Sequence, residues 1–126
     1  MRETVLLINF QDKEQLREIQ RMLLTVKLYM KKVEKEEYLN PLGFLAGIKE
    51  LPALEEMYTG EELEKEMMVF AGVSEEHLNQ MLYLMKKSGI KPVDYKAILT
   101  ETNRTWTVPE LYAELAKEHE AMTRKK

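Results

Sequence analysis

A polar loop from Lys96 to Trp106 holds the side chains best suited to ligand chemistry. Its threonine and asparagine side chains can donate hydrogen bonds, and Arg104 can bind a carboxylate or a phosphate through two parallel hydrogen bonds. The loop leads from a strand to a helix N-terminus, where backbone N–H groups and the helix dipole favour negative charge. We therefore expect a site for a small anion or a partner carboxylate at the 100–107 loop. Its candidate residues are Lys96, Thr100, Thr102, Asn103, Arg104, Trp106 and His119.

The same loop residues also have a purely structural interpretation. Threonine and asparagine side chains cap turns by bonding to nearby backbone groups. Trp106, the single tryptophan of the chain, can fasten the loop to the core. The residue types alone leave both interpretations open.

His119 is the residue on which an enzyme would depend. It follows Leu115 by four residues on the apolar stripe of the last predicted helix, which favours a packed or hydrogen-bonded histidine. The alternative is a general base, with Lys96 or Arg104 stabilising an oxyanion, and it requires these groups to converge in one pocket. We expect a binding or regulatory module rather than an enzyme. A third interpretation is a structural interaction protein that binds no ligand.

The composition excludes several other kinds of site. The 126 residues suit one domain, and the absence of cysteine excludes disulfides, thiolate metal sites and iron–sulfur clusters. The two histidines lie in different predicted helices, so we expect neither a metal nor a cofactor. The net charge of −3 disfavours direct nucleic-acid binding. The apolar run at residues 5–8 is too short for a secretory or transmembrane segment, which predicts a cytoplasmic protein without membrane contact.

Two similar series of elements position the loop. The first series consists of a buried strand over Glu3–Phe10, a helix capped by Asp12, a charged edge strand between residues 27 and 38, and a short helix after Pro41. The second consists of a buried strand over 67–73, a helix capped by Ser74, a strand over 95–100, and a helix that begins at a capping box at Thr107. We expect the apolar stripe of the Ser74-capped helix to pack in the core; it contains Leu78, Met81, Leu82 and Met85. A further short helix is predicted over 52–66 and a basic tail over 123–126.

The shared order predicts an internal duplication within one domain, with halves of about 1–58 and 59–126. The helix stripes align at an offset of 62 residues (78 − 16, from Leu16 to Leu78), and the last caps align at 67 (107 − 40, from Asn40 to Thr107). Two such units can interlock into an antiparallel, ferredoxin-like α+β sheet with added helices and with the apolar first and third strands central. The alternative is an open mixed α/β sheet with helices on both faces. A half-covered sheet would also favour a homodimer through its open face.

A motif of the form Lys-Ala-x-x-Thr-x-Thr-Asn-x-x-Trp begins at Lys96, and Glu110-Leu111, Glu114-Leu115 and Glu118-His119 follow it on the last helix. This pattern resembles a bacterial family, the domain of unknown function 3783, over about Met67–His119. The first half has neither the Thr-x-Thr-Asn segment nor a tryptophan. The resemblance implies no particular activity, substrate or cofactor. It implies that a set of residues matters for folding or for function, namely Lys96, Thr100, Asn103, Trp106, Glu118 and His119.

Overall fold

The computed structural model describes residues 2–124 and has four strands and four helices within that range. In chain order they are β1 (Thr4–Ile8), α1 (Lys13–Val26), β2 (Tyr29–Val33), α2 (Leu42–Leu45), β3 (Met67–Ala71), α3 (Glu75–Ser88), β4 (Tyr95–Ile98) and α4 (Val108–Arg124). A 3₁₀ turn precedes α2 at Lys35–Glu37, and another precedes α4 at Asn103–Thr105. The last two residues of the predicted basic tail lie outside the described range. None of the helices described is both long enough and apolar enough to cross a membrane.

The strands form one mixed sheet in the order β2-β1-β3-β4. β1 pairs in parallel with β2, and β3 pairs in parallel with β4. The two central strands, β1 and β3, are antiparallel, with Leu6 opposite Val69. Every residue of β1 and β3 is buried, as their apolar sequences predict. The charged strand β2 lies at one edge and β4 at the other.

The sheet differs from the antiparallel ferredoxin-like arrangement and has the open mixed form of the alternative prediction. In a ferredoxin-like sheet the first and third strands also pair antiparallel at the centre, but the two edge strands are exchanged. Each helix then crosses over a strand of the other unit. Here α1 and α3 each connect two neighbouring parallel strands, so each strand–helix–strand unit closes on itself. The α+β class is as predicted.

Helices cover both faces of the sheet. On one face, α1 and α3 pack against alternate residues of the central strands, namely Val5, Leu7, Met68 and Phe70. On the other face, α2 and α4 pack against the intervening residues, namely Leu6, Ile8, Met67 and Val69. We call these the α1/α3 face and the α2/α4 face. Within residues 2–124 the sheet therefore has no open face of the kind through which the predicted homodimer would form.

Four of the residues with positive φ lie at matching places in the two halves. Asn9 (φ 59°) follows β1 and Gly72 (φ 67°) follows β3, at an offset of 63 residues (72 − 9). Lys27 (φ 65°) ends α1 and Gly89 (φ 74°) ends α3, at an offset of 62 (89 − 27). Positive φ is rare in non-glycine residues, and its position does not follow from the spacing of apolar residues. The match is therefore an observation separate from the alignment of the helix stripes. It is compatible with the internal duplication, which stays a prediction from the sequence.

The connector between the halves lacks the helix predicted over 52–66, because that segment has no regular secondary structure. Polar contacts hold it instead: the Leu54 N–H donates to Asn40 Oδ1 at 2.8 Å, and Asn9 Nδ2 donates to the Leu63 carbonyl at 2.8 Å. A glutamate-rich segment without an apolar stripe has little to bury as a helix, and burial provides most helix stability in proteins.

Candidate functional site

The predicted loop contains a closed turn formed by Thr100 and Asn103. The Asn103 side chain is buried, and its Oδ1 accepts a hydrogen bond from the Thr100 N–H at 2.8 Å. Its Nδ2 donates to the Ile98 carbonyl at 3.1 Å. The Asn103 N–H donates in turn to Thr100 Oγ1 at 3.1 Å. Both side chains are therefore engaged within the turn, in agreement with the structural interpretation.

The Asn103 carboxamide also closes one end of the outer edge of β4. The Leu99 N–H donates to the Phe70 carbonyl of β3 at 2.9 Å. Backbone groups alternate in direction along a strand, so those of the even-numbered residues face away from β3. Asn103 bonds to two of these outward groups, the Ile98 carbonyl and the Thr100 N–H, as a neighbouring strand would. The unpaired edge of β4 therefore ends at Ile98.

The other loop residues have different surroundings. Thr102 is exposed, and its side chain makes no hydrogen bond within the described residues. Arg104 forms an ion pair with Glu101 at 3.4 Å, which offsets its charge locally. Trp106 packs partly buried against the core of the α2/α4 face, and its carbonyl accepts the Leu42 N–H at 2.8 Å. The tryptophan thus fastens the loop to the core and to the start of α2.

The N-terminus of α4, where we expected an anion, is occupied by the protein's own groups. Thr107 Oγ1 accepts the Glu110 N–H at 3.3 Å, and Glu110 Oε1 accepts the Thr107 N–H at 2.8 Å, as the capping box predicts. The Val108 N–H donates to the Tyr38 carbonyl in the first half at 3.1 Å. An incoming anion would meet the Glu110 carboxylate here, so this helix end does not provide the predicted site.

The N-terminus of α3 is occupied by a carboxylate. Glu3 Oε2 accepts the Ser74 N–H at 2.8 Å and lies 2.8 Å from His77 Nδ1. The backbone hydrogen bond from Ser74, followed by the interaction with His77, lowers the pKa of Glu3 from its ordinary value of 4.5. His77 and Glu3 therefore tie the start of β1 to α3.

Lys96 and His119 lie on opposite faces of the sheet. Lys96 pairs in register with Met68, so its side chain projects on the α1/α3 face, where Nζ donates to the Val93 carbonyl. His119 lies on α4 and packs against the Tyr95 ring on the α2/α4 face, with 5.7 Å between ring centroids. The two side chains do not share a pocket, so the geometry removes the enzyme hypothesis in which Lys96 assists His119.

The geometry does not favour Arg104 as the partner of His119 either. Arg104 precedes α4, and the 11 residues from Val108 to His119 span about 16 Å of helix at 1.5 Å per residue. Within residues 2–124, no group of three or more His, Asp or Glu side chains is arranged to hold a metal ion.

His119 belongs instead to a cluster of aromatic and charged side chains beside the start of β4. The Tyr95 ring also packs against Tyr112, at 4.9 Å between centroids. Lys65 Nζ lies 5.8 Å from the centre of the Tyr95 ring and 3.2 Å from the Asp94 carboxylate. The hydrogen bond to Asp94 raises the pKa of Lys65, and burial raises the pKa of Tyr112. Both shifts are away from neutral pH, so neither residue is set up to exchange a proton near pH 7.

An apolar groove runs between α3 and β4 on the α1/α3 face. It consists of two adjoining cavities of about 280 and 310 Å³, and Leu82 and Lys96 line both of them. The other lining side chains are Lys86 and a mainly apolar set, Phe70, Leu78, Met85, Ile90, Pro92, Val93, Ala97 and Ile98. We call this feature the α3–β4 groove. No acidic residue is among those that line it, so Lys96 places a positive charge at its centre.

Comparison with known proteins gives one match. Residues 66–122 match the model of the family described as Domain of unknown function (DUF3783). The second half of the chain is similar to this family over these residues. The match confirms the family resemblance predicted from the sequence. No curated protein and no solved structure matches the chain significantly.

The α3–β4 groove lies entirely within the DUF3783 segment, since its lining residues fall between Phe70 and Ile98. The turn at Thr100 and Asn103 lies in the same segment and adjoins the groove through Ile98. Of the predicted site residues, only Lys96 lines the groove. Asn103 lies next to it, because its side chain bonds to the carbonyl of Ile98, which does line the groove.

The sequence pattern does not single out the apolar residues of the groove. It assigned the stripe of α3 to the core, but only Met81 is buried in this helix, whereas Leu78, Leu82 and Met85 are partly exposed along the groove. The sequence of this segment does contain a usable signal, because the apolar face of α3 is wide. Periodicity alone does not reveal how much of such a face its neighbours cover.

Proposed function

We propose that this protein is a binding module that receives an extended segment of a partner protein in the α3–β4 groove, with a partner carboxylate at Lys96. The observation that carries this proposal is the incomplete burial of α3. Both α1 and α3 have 14 residues, but α1 buries four apolar side chains and α3 buries only Met81. An apolar helix face left uncovered beside a sheet edge is typical of a surface that binds another protein.

The edge strand β4 supplies backbone groups for such a segment. The N–H and carbonyl of Lys96 and the N–H of Ile98 face away from β3, and no described strand pairs with this edge. An extended peptide would continue the sheet here through main-chain hydrogen bonds. The pairing would stop at Ile98, because Asn103 already bonds to its carbonyl.

The position of Lys96 between the two cavities defines the side chains that fit. Residues i, i+2 and i+4 of a strand lie on one face, about 6.6 Å apart from one to the next. A segment with apolar residues at i and i+4 would fill both cavities, and an acidic residue at i+2 would meet Lys96. The Lys96 ammonium has three donors, of which the Val93 carbonyl accepts one. Lys86 at the wall of the groove adds to the attraction for an acidic segment.

The peptide acetyl-Leu-Thr-Glu-Thr-Leu-amide tests this proposal in a titration followed by the protein's backbone NMR signals. We expect shifts in the signals of α3 and β4. The variant Lys96→Gln should weaken binding by about tenfold, the equivalent of one charge-assisted hydrogen bond of about 1.4 kcal/mol. A peptide with Gln in place of Glu should bind the unaltered protein with the same loss and should show no further loss with Lys96→Gln.

The matched control is Lys117→Gln, because Lys117 is exposed on α4 at the opposite face of the sheet. It removes the same charge and should leave peptide binding unchanged. Equal binding of the Glu and Gln peptides would refute the role of Lys96. If the α3 and β4 signals change with protein concentration when no peptide is present, the occupant is a second copy of this chain, and the proposed partner is wrong.

A further inference from the structure

A second cavity lies over β2 on the α2/α4 face, at the sheet edge opposite to the α3–β4 groove. Its volume is about 510 Å³, within the range of small-molecule sites. It lies between β2 and the end of α2, and its wall includes Tyr29, Lys31, Leu45, Ala46, Arg2 and Lys49. We call it the β2–α2 cavity.

The charges of this cavity are all of one sign. Three cations line it and no acidic residue does, although the chain has a net charge of −3. Lys31 is paired with Glu37 at 3.1 Å, so its charge is offset. The Arg2 guanidinium lies 4.5 Å from the centre of the Tyr29 ring, and Lys49 has no ion-pair partner among the described residues. Arg2 and Lys49, which are distant in sequence, thus bring to one cavity two positive charges that have no ion-pair partner within residues 2–124.

The cavity also offers apolar surface to a ligand. The Tyr29 side chain lies on this face of β2 and is 54% exposed. The buried side chains of Leu45 and Ala46 form the opposite wall. An aromatic or aliphatic group could therefore pack between β2 and the end of α2 while a charged group reaches the cations.

We propose that the β2–α2 cavity binds a phosphate monoester with an aromatic or apolar body. A phosphate monoester carries close to two negative charges at pH 7, which matches the two cations without a counter-charge. A guanidinium can hold a phosphate through two parallel hydrogen bonds while it packs on an aromatic ring. The Arg2 guanidinium lies over the Tyr29 ring in this way and could bind a phosphate at the same time. Lys49 would supply the second charge. This site is independent of the proposed function, because it lies on the other face and at the other edge of the sheet.

A titration of the full chain with phenyl phosphate, followed by backbone NMR signals, tests this inference. We expect shifts at Tyr29, Lys31 and Gly47. Arg2→Gln and Lys49→Gln should each weaken binding by about tenfold, as expected for the loss of one charge-assisted contact. Inorganic phosphate and phenol should each bind more weakly than phenyl phosphate, because each provides only one half of the proposed contacts.

The matched control is Lys13→Gln, because Lys13 is an exposed cation on α1, on the opposite face of the sheet. It should leave phenyl phosphate binding unchanged. The inference is overturned if phenyl phosphate causes no shifts at the cavity, or if Lys49→Gln binds as tightly as the unaltered protein. A loss with Lys13→Gln equal to that with Lys49→Gln would also overturn it, because the attraction would then be general to the surface.

Discussion

Replacement of Asn103 by alanine should destabilise the fold by about 1–3 kcal/mol. The substitution removes two side-chain hydrogen bonds, one from the Thr100 N–H at 2.8 Å and one to the Ile98 carbonyl at 3.1 Å. Each such bond contributes about 0.5–1.5 kcal/mol, and the sum gives the range. The side chain is only 9% exposed, so water replaces the lost partners poorly. The lower end of the range applies if the turn opens enough to admit water.

Urea unfolding at pH 7 measures this change directly. The midpoint should fall while the dependence of the free energy of unfolding on urea stays the same, because the unfolded chain exposes the same surface. For a domain of this length, a loss of 1 kcal/mol lowers the melting temperature by roughly 3–6 °C. The fluorescence of Trp106, three residues away and the single tryptophan of the chain, reports on the same loop.

Thr102→Ala is the matched control, because Thr102 is the neighbouring residue, is exposed, and makes no side-chain hydrogen bond within the described residues. It should change the free energy of unfolding by less than about 0.5 kcal/mol. Asn103→Asp should be at least as costly as Asn103→Ala, since its second carboxylate oxygen would replace Nδ2 and face the Ile98 carbonyl, which is also an acceptor. If Asn103→Ala is no more costly than Thr102→Ala, the reasoning is wrong, and the Asn103 side chain is free for the ligand role that the sequence first indicated.

Two further predictions concern Glu3 and Lys27. The hydrogen bonds to Glu3 lower its pKa in the folded state, so its contribution is present above the ordinary pKa of 4.5 and is lost as the pH falls through the lowered value. Glu3→Gln should therefore reduce the loss of stability as the pH falls below 4.5 in urea unfolding, and an unchanged loss at acid pH would contradict this role. Lys27→Gly should stabilise the protein by about 0.5–1 kcal/mol, because Lys27 has φ 65° at the end of α1, where α3 has Gly89. Calorimetry that gives a lower melting temperature for this variant would count against strain at Lys27.

The sequence predicts the elements of this fold better than their arrangement. Cap residues such as Asp12 and Ser74 locate the helix starts, and the continuous apolar runs locate the two central strands. The observed strand order differs from the ferredoxin-like order that we expected. The sequence does not distinguish the two, because both sheets have the same strand directions and the same central pair. Both bury β1 and β3 and leave β2 and β4 at the edges. The choice between them depends on which edge strand meets β1, and hydrophobic pattern carries no information about that choice.

At the candidate site, too, the sequence indicates which chemical groups are present but not how they are arranged. Residue type indicates that Asn103 can donate and accept hydrogen bonds, but it does not indicate that the neighbouring Thr100 and Ile98 backbone already uses both groups. The sequence singles out Lys96 by its charge, but the cavity beside it depends on the exposure of Leu82 and its neighbours on α3. That exposure is a property of packing between elements distant in sequence, so a single sequence does not reveal it.

Both proposed sites lie where equivalent elements of the two predicted halves cover the sheet to different extents. On the α2/α4 face, the 17-residue α4 fills the space above β4, whereas α2 has four residues and leaves the β2–α2 cavity above β2. On the other face, α1 buries four apolar side chains, whereas α3 buries only Met81 and leaves the α3–β4 groove. A repeat with equal halves would cover both sheet edges alike. Because each site belongs to one half, substitutions in α3 and β4 should affect peptide binding alone, and substitutions at the β2–α2 cavity should affect phosphate-ester binding alone. If a single surface substitution abolished both peptide binding and phosphate-ester binding, the two sites would be coupled through the sheet.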